Sequence, residues 1–390
     1  MGEKIVDILL SILRQEVCDS KEKSEIDSAV LSEYLQPLYA LSKAHDMAHI
    51  VANTLDQNGL LPNDLDISAK FQKQLMMAVY RYERINYELN VICKALEDAE
   101  IPFIPLKGSV MRRYYPEPWM RTSCDIDILV HEEDLEKAIE RLVRQHGYTN
   151  EGRNYHDVSL FSPHGIHIEL HFDLVEDKYA NGSSILLSRV WEYTSPKPGY
   201  RYFFEMTDEM FYFYHIAHMA KHVEYGGCGI RPFLDLWILE HRVEHNQTAR
   251  DELLMQGRLL TFANACRRLS EVWFSNVPLD DVSAQIQEYI LHGGVYGNLD
   301  NRVAVQQKKR GGKVRYILSR IFLSYDSLKV LYPLLLKHKW LTPIMEVRRW
   351  FRLLFKGKMK SSLHELNVNK SMSKEQIENT AQLLRQLGLD

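Results

Sequence analysis

Three acidic residues lie at spacings that suit metal-dependent chemistry. Asp125 and Asp127 stand in the run DIDILV, and Glu169 stands in IHIELHFDL, 42 residues beyond Asp127. Both runs alternate polar and apolar residues, which is typical of β-strands, so Asp125 and Asp127 are expected to share one face. If the two strands are neighbours, three carboxylates converge on one open side of a sheet. Such a cluster repels itself, and a divalent cation such as Mg²⁺ relieves the repulsion.

A Gly-Ser pair precedes these acids. Gly108 and Ser109 stand in LKGS, after an apolar run (IPFIPL) that predicts a strand, and a helix is expected to follow. Glycine lets the backbone approach a ligand closely, and a helix N-terminus presents free N–H groups to phosphate. Nearby cations that could neutralise a triphosphate are Lys107, Arg112, Arg113 and Arg121. For Arg121, an ion pair with Glu117 or Asp125 is the alternative interpretation.

Together these elements resemble the nucleotidyltransferase superfamily of the DNA polymerase β type. LKGSVMRRYYPEPWMRTSCDIDILV followed by IHIELHFDL looks like the family called uncharacterised nucleotidyltransferase, and the similarity is centred on residues 85–175. The resemblance implies transfer of NMP from an NTP to a hydroxyl acceptor, with two Mg²⁺ ions and release of pyrophosphate. By motif position it makes Asp125, Asp127 and Glu169 the metal ligands, with Gly108 and Ser109 holding phosphate.

A predicted helix beginning near residue 208 carries a histidine stripe. The three histidines at i, i+3 and i+7 are His215, His218 and His222. We interpret them as structural or substrate-facing, with Lys221 as a further contact to the triphosphate. A zinc site that includes Glu224, and hence a histidine-metal hydrolase, is the competing hypothesis.

Four other histidines and a glycine-rich loop give weaker signals. His167 and His171 flank the third acid on its strand and are expected to orient it or a substrate hydroxyl. His45 and His49 form an HxxxH pair, for which a position on a helix surface is predicted rather than metal binding. The loop YGGCG at 225–229 either lines the cleft beside the catalytic core or simply connects two helices.

The elements that must position these residues divide into four regions. The chain is predicted to comprise a helical N-terminal region (1–95), a catalytic core (96–200), a helical domain closing the cleft (201–300) and a basic helical C-terminal region with a peripheral polar tail (301–390). From 85 to 175 the predicted order is helix, strand, helix, strand, helix, strand, strand, and the last two strands form a hairpin. The predicted fold class is therefore α+β, with a mixed nucleotidyltransferase-type sheet flanked by helical regions.

Composition limits the functional classes. The chain has 390 residues, 45% hydrophobic and 26% charged, with a net charge of −4, as a globular protein should. Five cysteines without a CxxC pair argue against a disulfide scaffold, and the absence of a signal peptide or membrane-length apolar run predicts a cytoplasmic location.

Residues 302–360 contain 16 Lys/Arg and two acidic residues, a balance of +14. This segment predicts a polyanionic partner (nucleotide phosphates, nucleic acid or anionic lipid) or else a solvated helical face.

The favoured hypothesis is a Mg²⁺-dependent nucleotidyltransferase that acts on a hydroxyl of a small molecule, peptide or protein. The alternative is a non-catalytic nucleotide-sensing or partner-binding module on the same fold, for example of the toxin–antitoxin type. Members of one fold share metal chemistry while their acceptors differ, so the fold names neither the acceptor nor the preferred NTP.

Overall fold

The computed structural model describes residues 2–18, 28–62, 66–175, 182–295, 297–355 and 359–389. Within these ranges a mixed sheet is surrounded by helices. The helices that precede the sheet are α1 (Glu3–Val17), α2 (Ser28–Ala44), α3 (Ala48–Gln57) and α4 (Asp66–Asp98). The sheet region contains β1 (Phe103–Pro105), α5 (Gly108–Met111), β2 (Asp125–Val130), α6 (Leu135–Glu140), β3 (Thr149–Arg153), β4 (Asp157–Phe161) and β5 (His167–His171).

Helices dominate the remaining chain. The elements that follow the sheet are α7 (Gly182–Ser188), β6 (Thr194–Pro196), β7 (Phe204–Met206), α8 (Asp208–Glu224), α9 (Arg231–Arg242), α10 (Gln247–Gln256), α11 (Leu260–Phe274) and α12 (Asp281–Leu291). The last helices are α13 (Leu299–Lys309), α14 (Lys313–Ile321), α15 (Tyr325–Leu331), α16 (Thr342–Phe355), α17 (Met359–Ser371) and α18 (Lys374–Gln386). The predicted α+β class is confirmed.

The main sheet has five strands in the order β1-β2-β5-β4-β3. β2 and β5 run parallel, and the other neighbouring pairs are antiparallel. The predicted hairpin is confirmed as β4 and β5. β3 was not predicted, because its sequence TNEGR is exposed at every position and has no apolar alternation. It is held by pairing with β4 and forms the edge of the sheet.

The two faces of β2 have different environments, as its alternating sequence predicts. Ile126, Ile128 and Val130 are fully buried in a core that also contains Ile92 of α4 and Leu135 of α6. Because side chains alternate along a strand, burial of these apolar residues fixes which residues project from the opposite face.

The long helix α4 contributes to two hydrophobic cores. Phe71 lies in the larger core, which combines the N-terminal helices with residues of α8, α9 and α11. Ile85 and Ile92 lie in the core beneath the sheet. At 33 residues, α4 is about 50 Å long at the usual rise per residue. A single stiff element therefore connects the sheet with the surrounding helices.

His45 and His49 are buried, so the prediction of a helix-surface role is wrong. His45 lies in the turn between α2 and α3 rather than on a helix, next to Asp46 with φ of 56°. Its Nδ1 accepts a hydrogen bond from the Ile230 backbone N–H, and its Nε2 lies 3.3 Å from the Leu291 carbonyl oxygen. His49 Nε2 lies 2.8 Å from the Met120 carbonyl oxygen. The pair connects the N-terminal helices to the rest of the chain.

The C-terminal tail is also not peripheral, contrary to expectation. Leu383, Leu384, Leu387 and Leu389 are buried and belong to the larger core. The polar composition of the tail conceals these leucines, which gather on one side of α18 and in the turn after it. All five cysteines have free thiols. Within the described ranges, no helix combines the length and apolarity needed to cross a membrane.

Candidate active site

The parallel strands β2 and β5 place the three predicted acids together. In their register Asp125 lies opposite His167, and Asp127 lies opposite Glu169. Asp127 is 5% exposed, whereas Asp125 and Glu169 are half-buried. The predicted convergence of three carboxylates on one face of the sheet is therefore confirmed as geometry.

The acids and the neighbouring histidines form two sets of potential metal ligands. Ligand atoms of Asp125, His167 and Glu169 lie within 4.8 Å of one another, and so do those of Asp127, Glu169 and His171. Glu169 belongs to both sets. Carboxylate oxygens are the ligands that Mg²⁺ prefers, and imidazole nitrogen is compatible with several other divalent ions. The donor set thus fits the divalent cation that the fold implies.

Charge repulsion between the acids supports the same fit. Burial raises the pKa of Asp125, and the negative charges of Asp127 and Glu169 raise it further. A carboxyl whose pKa is raised by its neighbours gains from a bound cation, because the cation removes the repulsion and favours the ionised form.

Asp127 is held ionised by two partners on one oxygen. Lys107 Nζ lies 2.8 Å from Asp127 Oδ1, and His171 Nε2 lies 3.0 Å from the same atom. Although burial opposes ionisation, the charge of Lys107 and the hydrogen bond from His171 hold the pKa of Asp127 well below its usual range. Lys107 has φ of 45°, a conformation that costs a non-glycine residue free energy. Its position at the entry to α5 directs the ammonium group to the acid.

His167 and His171 differ in what they contact. His171 is 2% exposed and bonds Asp127, with Glu169 Oε2 at 3.4 Å from the same ring nitrogen. His167 Nε2 instead lies 2.6 Å from Ser159 Oγ on β4. His171 thus contacts two of the three acids, and a role in orienting Glu169 stays a prediction. His156, which the sequence analysis did not single out, stacks on His171 with ring centroids 5.5 Å apart.

A cavity of about 620 Å³ brings the sequence-predicted residues together. Those that line it are Asp125, Asp127, Glu169, Lys107, Gly108, Arg121, Lys221, His215, His218 and His222. The loop at 225–229 contributes Tyr225, Cys228 and Gly229, so it lines the cleft in addition to connecting α8 and α9. Asn154, His156 and Asp157 also line it and were missed. A signal was available for Asp157, because antiparallel pairing in the predicted hairpin places it opposite His171.

Three predicted residues, Ser109, Arg112 and Arg113, do not line the acid cavity. They line a second cavity, of about 630 Å³. The N–H groups of Ser109 and Val110 donate to the Leu106 and Lys107 carbonyl oxygens. These two N–H groups of the one-turn helix are therefore engaged by local carbonyl oxygens, and phosphate binding by Gly108 and Ser109 stays a prediction. Gly108 lines the acid cavity, and a Cβ there would lie 3.2 Å from Ser123 Cβ.

Arg121 forms a buried ion pair, but with neither predicted partner. Its Nε lies 2.8 Å from Asp235 Oδ1 on α9, and the Tyr115 hydroxyl donates to the same oxygen at 2.8 Å. Burial raises the pKa of Asp235, yet the Arg121 charge holds it below the usual value. Arg121 also lines the cavity, so the ion pair fixes one of its walls to α9.

The histidine stripe of α8 faces the acids across the cavity. His218 and His222 have their Nε2 atoms 3.2 Å apart, and His215 Nε2 lies 2.9 Å from the Pro232 carbonyl oxygen. Burial lowers the pKa of all three, that of His222 to about 4. Burial and the charge of Lys107 lower the pKa of Lys221 to about 8. In the part of the chain that the structure describes, both groups with metal-ligand spacing contain the acids rather than this stripe.

A mixed sheet that presents three carboxylates to a cavity lined by lysines is the arrangement expected of a nucleotidyltransferase. The sequence model of the family described as "Uncharacterised nucleotidyltransferase" matches residues 33–275, which is more than half of the chain. The chain therefore belongs to this family. Neither the search of curated proteins nor the search of solved structures finds a match.

Proposed function

We propose that this protein transfers NMP from an NTP to a hydroxyl acceptor, with Mg²⁺ bound by Asp125, Asp127 and Glu169. The observation that carries the proposal is the β2–β5 register, which sets Asp127 opposite Glu169 with Asp125 on the same face. Two bound ions would neutralise phosphate charge and lower the pKa of the attacking hydroxyl. His167 and His171 lie within the same sets of ligand atoms.

The proposed reaction needs a base to deprotonate the acceptor hydroxyl. The acceptor oxygen bonds to the α-phosphorus, the bond from that phosphorus to the bridging oxygen breaks, and pyrophosphate leaves. The hydroxyl proton must pass to a base. Glu169 suits this role because its side chain is 30% exposed and lines the cavity, whereas Asp127 Oδ1 already accepts two hydrogen bonds.

The triphosphate is proposed to lie between the acids and α8. Lys107 lies on the acid side, and Lys221 on the α8 side retains most of its charge at neutral pH with a pKa of about 8. Gly108 lines the cavity, so a phosphate contact at its backbone remains part of the proposal. Ser109 has the least support, because it lines the neighbouring cavity.

Equilibrium binding of each NTP, with and without Mg²⁺, tests the proposal. We expect the wild type to bind at least one NTP in a Mg²⁺-dependent manner and Asp125→Asn/Asp127→Asn to lose most of that affinity. Glu136→Gln, at an exposed position of α6, is the matched control and should bind normally. Absence of NTP binding to folded wild-type protein would overturn the proposal.

Transfer is tested separately from binding. An NTP labelled at the α-phosphate is incubated with panels of small-molecule, peptide and protein acceptors, and the label should appear on one class of acceptor. Mg²⁺-dependent binding without label transfer to any of them would instead support the nucleotide-sensing function.

A further inference from the structure

The C-terminal helices expose large apolar side chains along one stripe. On α16, Ile344, Val347 and Phe351 are 54%, 45% and 56% exposed. They stand at i, i+3 and i+7, so they share one face of the helix. Trp340, which precedes α16 by two residues, is 72% exposed. The opposite side of α16 packs against the protein, since Met345 is buried against residues of α15.

Helix α14 has the same organisation. Val314, Leu318 and Ile321 are 69%, 49% and 38% exposed and also share one face, while Tyr316 on the other side is buried. The two helices meet at the end of α14, where Trp350 Nε1 donates to the Ile321 carbonyl oxygen at 2.9 Å. We call these two stripes, with Trp340, the apolar basic face. Large exposed apolar residues that recur along one face of each of two touching helices mark an interaction site rather than an ordinary solvent-facing helix.

Positive charge surrounds the apolar residues. Residues 313–352 contain nine Lys/Arg and two acidic residues. Both acids are engaged in ion pairs, Asp326 with Lys329 and Glu346 with Arg349. The exposed cations beside the α16 stripe are Lys337, Lys339, Arg348 and Arg352. The complementary partner is therefore an anionic surface that also accepts apolar side chains.

We propose that the apolar basic face binds the surface of a membrane that contains anionic phospholipid. Apolar side chains of an interfacial helix enter the boundary between headgroups and acyl chains, while Lys and Arg attract anionic headgroups. A nucleic acid would bind the cations, but its phosphates and sugars would not bury the exposed Ile, Val and Leu side chains. The described residues that line the acid cavity include none from 313–352, so the apolar basic face shares no residue with that cavity.

Co-sedimentation of the full chain with vesicles tests this proposal. The vesicles are phosphatidylcholine alone or phosphatidylcholine mixed with phosphatidylglycerol. We expect the wild type to sediment with the mixed vesicles and to be released by added salt. Two variants should each bind at least about tenfold more weakly than the wild type. They are the apolar variant Ile344→Ser/Phe351→Ser and the charge variant Lys339→Gln/Arg348→Gln/Arg352→Gln. Met76→Ser, at a 71% exposed position of α4, is the apolar control and should bind like the wild type.

Other outcomes would overturn the proposal. These are no sedimentation of folded wild type with the mixed vesicles, equal binding to phosphatidylcholine alone, or binding that neither variant weakens. Retention on nucleic acid that only the charge variant loses, without vesicle binding, would assign the face to nucleic acid. A wild-type dimer that Ile344→Ser/Phe351→Ser dissociates would assign it to a second copy of the chain. Circular dichroism and NTP binding of each variant verify the fold and separate this test from that of the transferase function.

Discussion

Asp127 and Glu169 lie directly opposite each other on two neighbouring parallel strands, although 42 residues separate them in the chain. Their pairing depends on burial of the apolar residues that precede them on the two strands. Ile126 and Ile168, which pair one position earlier, are both fully buried. A slip of one residue would turn these apolar side chains to the cavity and the carboxylates into the core. The hydrophobic core thus sets the geometry of the acids.

Removing Lys107 should strengthen metal binding in the absence of nucleotide. Its ammonium group lies 2.8 Å from Asp127 Oδ1. It therefore blocks an oxygen that could bind the metal ion, and its positive charge repels that ion. We expect Lys107→Met to bind Mn²⁺ about fivefold more tightly, which corresponds to ~1 kcal/mol of repulsion at a partly exposed site. Calorimetric titration measures the change, with Lys137→Met on the exposed side of α6 as control. Weaker Mn²⁺ binding in the variant would show that Lys107 supports the metal ligands instead.

The buried ion pair between Arg121 and Asp235 should be critical for stability. Asp235→Asn leaves the Arg121 guanidinium buried without a compensating charge, so we expect a loss of about 3–5 kcal/mol in the free energy of unfolding. The exposed pair between Arg153 and Glu132 provides the control, and Glu132→Gln should cost less than about 1 kcal/mol. Urea denaturation measures both. Equal losses would mean that Arg121 is held by other contacts and is available to a triphosphate.

Stability should fall in mild acid, in part because His45 must remain neutral. Burial lowers its pKa from 6.5 to about 4, and protonating Nδ1 would break the hydrogen bond from the Ile230 N–H. Below pH 6.5 the unfolded chain binds a proton that the folded chain does not, so stability decreases as pH falls towards 4. This site should contribute about 2 kcal/mol of loss between pH 7 and pH 5.

The matched comparison for this effect is His45→Gln. Its unfolding free energy should change less between pH 7 and pH 5 than that of the wild type, by about the same 2 kcal/mol. Comparing the change within each protein removes any constant cost of the substitution. An identical pH dependence in both proteins would contradict the assignment.

The sequence predicted the acid trio because alternation along a strand is a local property. Asp125 and Asp127 share a face whatever their surroundings, and the buried run around Glu169 identifies a neighbouring strand. The cavity wall from α8 was predicted in part, since His215, His218 and His222 share a helical face. These features required only short-range periodicity.

Other features depend on contacts that periodicity does not contain. Arg121 pairs with Asp235, 114 residues later, and no local pattern distinguishes that carboxylate from Glu117. His45 is buried because a turn and two distant segments surround it, although its spacing to His49 suggested a helix surface. β3 forms from exposed polar residues by pairing with β4. In each case tertiary contacts override the local sequence pattern.

The central claim is that Asp125, Asp127 and Glu169 bind divalent cations together with an NTP. Electron paramagnetic resonance of Mn²⁺, a carboxylate-binding substitute for Mg²⁺, counts bound ions directly in the presence of a non-hydrolysable NTP analogue. We expect two bound Mn²⁺ per chain for the wild type and for Glu136→Gln, and at least tenfold weaker binding for Asp125→Asn/Asp127→Asn. Wild-type protein that binds the analogue but holds no more Mn²⁺ than the double variant would contradict the claim.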